Sequence, residues 1–550
     1  MKRISLRTRL VGALAVVTLV AGGAIAPATA GDKENICYPG ETLGQCSGDL
    51  GGGAGKYDLR MPMNFNGTVL LFFHGIRFGK STPILQSLKA AGIDYSNDPY
   101  YDSVTIPGLG AAWVANGKPQ LTAAGNSLVQ KLLDKGFGVA GLGYGDNQGW
   151  ATAEAFAAGK AFIYKARNGY VPGLKRIITW SESMGTLPAL KIAETVPGVS
   201  ADYSACILPP TTQMAFQQAL DALYVLKVLG GLDLKLTYSA GQAGLMEAYG
   251  DLNKVLGLLG AIKADANAVT STKLLARNVV LLAGLVAGLP EASASYDGIT
   301  TGGPLAASQL NTGAAMAENI GTAAMLATLL RFDVESRIRV AGGIATGSVN
   351  FTDNVNTSYT DLLSDEQRAQ YETFLNLGGT NVVDTMLGAL DATKGVAAMR
   401  YSANPAAVAI AQSAFPSYTG AARIPTVLMG YEVDNVTQAG QVARYADLAA
   451  AAATKAKPSP VEAVYADAPD DGWTVLGSAA GTAAKRTSGI GHCGGASIQT
   501  PAQHVSLLVA TNQWVLKGAK IGRGWIDAFR RDGSLGLQAD TEWLPTAVKF

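Results

Sequence analysis

Between Gly67 and Cys206 the chain alternates short, nearly continuous apolar runs with longer stretches of helical period. Apolar runs of this length bounded by glycine suit strands covered on both faces, and a helix between successive strands is what a parallel sheet requires. GTVLLFFHG, from Gly67, is the first clear strand, and LTAAGNSLVQKLLDKG, from Leu121 to Gly136, reads as a helix. FGVAGLGYG is the next strand and ATAEAFAAGKAFIYKARNG, ending at Gly169, the next helix. LKRIITW, TLPALKIAE and ADYSACILPP complete a further strand, helix, strand unit.

After Pro210 the pattern changes to Ala-, Leu- and Gly-rich helical segments such as AMAENIGTAAMLATLL and LSDEQRAQYETFLNLG, with little strand character. Strand pattern resumes at IPTVLMGYEVDNV, from Ile424. A helix from Gln438 to Ala452, a strand at VEAVYAD and the closing helix QHVSLLVATNQWVLKG follow. The reading is therefore a mostly parallel α/β sheet flanked by helices, formed by residues 31–212 and 424–550, with a large helical cap, residues 213–423, inserted between strands.

The first thirty residues stand apart from this fold. MKRISLRTR is basic, LVGALAVVTLVAGGAIA is apolar and APATA ends in a small-residue A-x-A pattern, the three parts of a secretory signal peptide cleaved after Ala30. Its removal takes Lys2, Arg3, Arg7 and Arg9, leaving 39 basic residues against 42 acidic ones. No basic run or aromatic-basic interleaving supports a nucleic-acid partner, and no later stretch is apolar enough to anchor the chain in a membrane. With 48% hydrophobic and 15% charged residues the chain can bury a sizeable core. Its oligomeric state is not legible in the sequence. Four cysteines in an exported chain are expected to pair. Cys37 and Cys46 are the natural local pair, which leaves Cys206 and Cys493, although sequence alone allows three pairings.

Reactive groups in an open parallel sheet gather beyond the carboxyl ends of the strands. At the first such end, SESMG, Ser181 and Gly185 give a tight strand-to-helix turn room around Ser183, as a nucleophilic serine needs. TYSAG, around Ser239, has the same shape and even follows the alternating run LDLKLTY, but it lies outside the strand, helix, strand alternation. At LLFFHGIRFG the amides of Gly75 and Ile76 are candidates to join that of Met184 in holding an oxyanion, with His74 read as structural. PTVLMGYEVDNVT offers Asp434, or in its place Glu432, as a carboxylate able to orient an imidazole. The chain has three histidines; His492 lies between glycines in a loop, whereas His504 lies on the apolar face of the closing helix. No paired-histidine spacing or cysteine cluster calls for a metal, and no cofactor is implied.

Ser183, Asp434 and His492 stand in the chain order of α/β-hydrolases, and the sequence resembles that superfamily over roughly residues 55–212 and 424–518. The resembling features are the HG after an early strand, the S-x-S-x-G variant of the elbow, the G-x-x-x-D strand exit and GHC carrying the histidine. Tannase- and feruloyl-esterase-like hydrolases bond a cysteine after that histidine to one directly before the serine. Here Glu182 occupies the second position, so that pattern is half matched and a Cys206–Cys493 bridge is the expected substitute. The resemblance implies an exported serine hydrolase cleaving a carboxylic ester through an acyl-enzyme, on a small-molecule or polymeric substrate. The Leu-, Ala- and Met-rich insertion is expected to shape an apolar pocket above Ser183. A peptidase or amidase and a polyester depolymerase would use the same triad, and a catalytically silent member of the fold would serve binding.

Overall fold

Strands form where apolar runs can be covered twice, and each of the six runs read above forms one. The computed structural model describes residues 36–39, 46–76, 100–106, 110–117, 128–144, 149–264, 271–287, 324, 326–365, 368, 372, 381–396, 398–431, 434, 436–466, 493 and 501–518. The expected signal peptide, Glu432 and His492 lie outside the described residues.

In chain order the strands are β1 (Ser47–Asp49), β2 (Lys56–Arg60), β3 (Thr68–Phe73), β4 (Tyr100–Ile106), β5 (Gly110–Gly117), β6 (Gly138–Gly143), β7 (Arg176–Glu182), β8 (Ala201–Ala205), β9 (Thr426–Tyr431) and β10 (Val461–Ala466). The helices around the sheet are α1 (Leu128–Asp134), α2 (Thr152–Lys165) and α3 (Thr186–Thr195). Those between β8 and β9 are α4 (Thr212–Val228), α5 (Gly241–Ala264), α6 (Ser271–Val286), α7 (Arg331–Gly342), α8 (Val382–Asp391) and α9 (Pro405–Ala414). Helices α10 (Ala439–Ala451) and α11 (Pro501–Lys517) follow β9 and β10.

Eight strands form one sheet in the order β1-β2-β6-β3-β7-β8-β9-β10, and β4 with β5 makes a separate hairpin. β1 and β2 run antiparallel to their neighbours, and from β6 to β10 the pairing is parallel. Register sets the carboxyl edge: Glu182 of β7 lies opposite Ala205 of β8, which lies opposite Met429 of β9. Ser183, Cys206 and the loop after Tyr431 therefore leave the sheet at one level.

Each sheet face has its own core. Ile177, Leu71 and Phe73 join α2, α3 and the insertion in one cluster, while Ile178, Trp180, Tyr203, Val427 and Met429 meet α1 and α11 in the other. The insertion is tied to the first of these layers by polar contacts at its edges. Trp150 donates through its indole to Thr212 Oγ1 (2.9 Å) and through its amide to Asp333 Oδ2 (2.7 Å). Arg337 of α7 reaches Glu154 of α2 at 2.5 Å.

The alternating run LDLKLTY forms no strand. Its amides are taken by side chains instead: Lys235 and Leu236 donate to Asp251 Oδ2, and Tyr238 to Glu335 Oε2. Once carboxylates have satisfied these donors, no ladder is needed to do so. Among the described residues, no helix is long and apolar enough to cross a membrane.

Candidate active site

Non-glycine residues adopt the left-handed backbone at a cost of about 1–2 kcal/mol, so such positions mark places where the surrounding structure imposes a conformation. Among the described residues five do so: Ser183 (φ 52°), Cys206 (φ 47°), Cys493 (φ 51°), Leu236 and Asn381. The first three belong to the carboxyl edge of the sheet and its covering loop.

Glu182 ends β7 in an extended conformation, Ser183–Gly185 make a single 3₁₀ turn, and α3 begins at Thr186. The turn is held from three sides. A Cβ added to Gly185 would lie 2.3 Å from Phe73 O and 2.7 Å from His74 O, so the turn packs directly on the backbone of β3 and its exit. A Cβ on Gly75 would lie 3.2 Å from Ser183 Cβ and 3.7 Å from its Oγ, which sets the backbone at Gly75 beside the hydroxyl. Thr186 closes the third side, donating to Ser183 O (2.6 Å) and accepting from the amide of Leu208 (3.1 Å). Thr186 was not singled out in the sequence; the cue for it is a hydroxyl at the third position after the serine, where it can reach back to the turn.

Ser181, in place of the first glycine of the usual elbow, has a partner of its own. Its Oγ lies 2.7 Å from Ser204 Oγ, Ser204 donates to Asp202 Oδ2 at 2.8 Å, and Thr179 donates to Asp202 Oδ1 at 2.6 Å. This ladder of hydroxyls crosses β7 and β8 beneath the elbow. Burial pushes the Asp202 carboxyl up to about 7, against the pull of its two hydroxyl donors.

Beyond β9, Asp434 is fully buried. Its Oδ1 accepts the amides of Val436 (2.9 Å) and Thr437 (2.8 Å), and its Oδ2 accepts Thr437 Oγ1 (2.7 Å) and the amide of Cys493 (2.7 Å). Cys493 is bonded to Cys206, and Cys37 to Cys46. Cys206, Asp434 and Cys493 bring metal-ligand types within reach of one another, but both sulfurs are spent in the disulfide and offer no thiolate.

The other serine and histidines have different surroundings. Ser239 donates to Glu247 Oε1 (3.1 Å) and lines a cavity of ≈560 Å³ in the insertion with Lys235, Tyr238, Glu335 and Arg339. That cavity is lined by polar groups and includes none of Ser183, Asp434 or Cys493. His74 is buried and stacked on Tyr144 at 3.7 Å between ring centroids, with its Nδ1–H donating to Gly75 O (2.8 Å). His504 is buried in α11, its Nδ1 3.0 Å from Tyr203 Oη.

A mostly parallel sheet, an antiparallel strand before its first parallel pair and a strained serine turn after a central strand make this the fold of an α/β-hydrolase. No family model and no curated protein matches the chain. Among solved structures it is similar to the esterase Pf2001 of Pyrococcus furiosus, at 15% identity over 36% of this chain and 61% of that one, with a TM-score of 0.20. It is also similar to an esterase from Aspergillus oryzae (12% identity, 84% and 77% of the two chains, TM-score 0.28). A third is feruloyl esterase B from the same organism (11% identity, 86% and 81%, TM-score 0.31). The fold assignment rests on the sheet order and the strand-to-helix turn of this chain.

Proposed function

We propose that this protein is an exported serine hydrolase of carboxylic esters, with Ser183 as nucleophile, His492 as base and Asp434 as the acid that orients the base. The observation that carries this reading is the pairing of two features at one sheet edge: a serine forced to φ 52° on a strand-to-helix turn, and a buried carboxylate that accepts the amide of the residue following His492. His492 removes the Ser183 proton as Oγ bonds to the ester carbonyl carbon. The amides of Met184 and of Gly75 or Ile76 hold the oxyanion, and the C–O bond to the alcohol breaks as His492 returns the proton to it. Water repeats the sequence on the acyl-enzyme and releases the acid. The disulfides and the signal-like first thirty residues support export.

Labelling with a fluorophosphonate followed by peptide identification tests the nucleophile. The expected adduct is on Ser183; an adduct on Ser239, or none on active enzyme, removes the assignment. Ser183→Ala and His492→Ala are each expected to abolish turnover of a p-nitrophenyl ester while circular dichroism stays unchanged. Parallel assay of an aminoacyl p-nitroanilide separates ester from amide cleavage.

A further inference from the structure

On the face of the sheet opposite α3, helix α11 lays His504 against the ends of β7 and β8. The ring is 1% exposed. Its Nδ1 lies 3.0 Å from the Tyr203 hydroxyl, and its Nε2 faces Glu182 Oε1 at 3.7 Å with no hydrogen-bond partner among the described residues. Trp180 and Tyr203 wall it in at 6.0 and 5.8 Å between ring centroids, and the buried Tyr431 at the end of β9 belongs to the same cluster. Burial lowers His504 to about 4, so the ring is a neutral imidazole at neutral pH.

The one hydrogen of the Tyr203 hydroxyl has two acceptors within reach, Nδ1 at 3.0 Å and the weaker thioether Sδ of Met429 at 3.5 Å; donation to the imidazole leaves Nε2 protonated and facing the Glu182 carboxylate. A polar path thus runs from Tyr203 on β8 through His504 on α11 to the side chain of the residue immediately before Ser183, its last step a contact and not a formed hydrogen bond. Its last link is about 0.8 Å longer than a hydrogen bond of ~2.9 Å. A buried N–H left without an acceptor costs roughly 1–3 kcal/mol, and Glu182 is the acceptor within reach.

We propose that His504 is a positioning residue for the nucleophile elbow, acting through Glu182 to fix the peptide unit that leads into Ser183. The inference rests on Ser183 being the nucleophile. The backbone turns abruptly there, from φ −142°, ψ 144° at Glu182 to φ 52° at Ser183, so a small rotation of residue 182 swings the serine hydroxyl. Glu182 stands where the tannase-like group has a cysteine, and a buried polar contact to α11 holds this position instead of a covalent one. The disulfide fixes the start of the same closing segment at Cys493, so the segment is held to the sheet at two points, Cys493 and His504.

The test is a double-mutant cycle on kcat and KM for a p-nitrophenyl ester, with thermal midpoint and fluorophosphonate labelling of each variant. His504→Phe keeps the ring and removes its nitrogens. It is expected to lower kcat roughly tenfold to a hundredfold with KM unchanged, the range for a misplaced reacting group. His504→Gln, which still donates, restores most of that loss. Glu182→Ala lowers kcat similarly, and combining it with His504→Phe lowers kcat no further. Equal losses from His504→Phe in the presence and absence of Glu182, or a lowered midpoint with kcat intact, overturns the proposal. Should His504→Phe not fold, Glu182→Gln against Glu182→Ala decides: the amide keeps an acceptor and retains kcat, and equal losses from both overturn the role. Labelling separates the two readings. An adduct away from Ser183 removes the nucleophile and this proposal together, whereas an adduct on Ser183 with an additive cycle removes this proposal alone.

Discussion

Asp202→Asn perturbs the carboxyl at the centre of the hydroxyl ladder under the elbow. The Asp202 carboxyl is fully buried and titrates at about 7 in the folded protein against an ordinary 3.8. The folded state therefore holds the proton more tightly than the unfolded one. Stability from this group is greatest below pH 3.8, declines as pH rises through the window from 3.8 to about 7, and is level above it. At about 1.4 kcal/mol per pH unit the loss across that window is up to ~4 kcal/mol. An asparagine has no charge to bury, and its amide can donate to Ser204 Oγ while Ser204 donates on to Ser181, so the ladder closes in the variant. With an unfolding entropy near 2 cal/mol/K per residue, ~4 kcal/mol is a shift of ~4 °C for a chain of this length. The assay is the thermal midpoint of wild type and variant by near-ultraviolet circular dichroism from pH 4 to pH 9. Asp202→Asn is expected to match or trail wild type at pH 4 and to gain on it steadily up to about pH 7. A difference between the two that stays flat across the series refutes the reasoning.

Gly185→Ala drives a methyl into the carbonyls of Phe73 and His74, and is expected to abolish ester turnover and lower the thermal midpoint by several degrees. Replacing Cys206 and Cys493 together by serine releases a cross-link between positions 287 apart. It is expected to cost about 5 kcal/mol by chain entropy and to cut kcat, read by urea unfolding and ester assay. Ser239→Ala, in the polar cavity of the insertion, is expected to leave kcat and KM for the ester unchanged; a loss comparable to that of Ser183→Ala would move the nucleophile.

Much of the sheet was legible because parallel strands covered on both faces have to be apolar throughout: β3, β6, β7, β8, β9 and β10 all coincide with apolar runs. β1 and β2 were not read, being short, edgeward and partly polar in SGD and KYDLR. The β4–β5 hairpin was also missed, although the dipeptide PG in TIPGLG is a sequence signal for a turn. LDLKLTY alternates without forming a strand, because its amides go to the carboxylates of Asp251 and Glu335. At the site, chain order and spacing pointed to Ser183, Asp434 and the cysteines. The contacts of Asp202 and Glu182 could not be read, because each depends on which residues the strand register and α11 bring together, whereas Thr186 reaches back only three residues to Ser183. His492 lies outside the described residues, and its proposed role rests on its place in the chain beside Cys493.

The Cys206–Cys493 bond also changes what a broken backbone means. Every peptide bond from 207 to 492 lies inside the ring it closes, including the whole helical insertion. A protease that nicks the chain there leaves Ser183 on one fragment and, for any cut before Asp434, the carboxylate on the other, with the two still joined covalently. Such a product runs as one band on a gel until it is reduced. For the exported hydrolase proposed above, a single nick in the insertion is then not the same event as losing half of the candidate site.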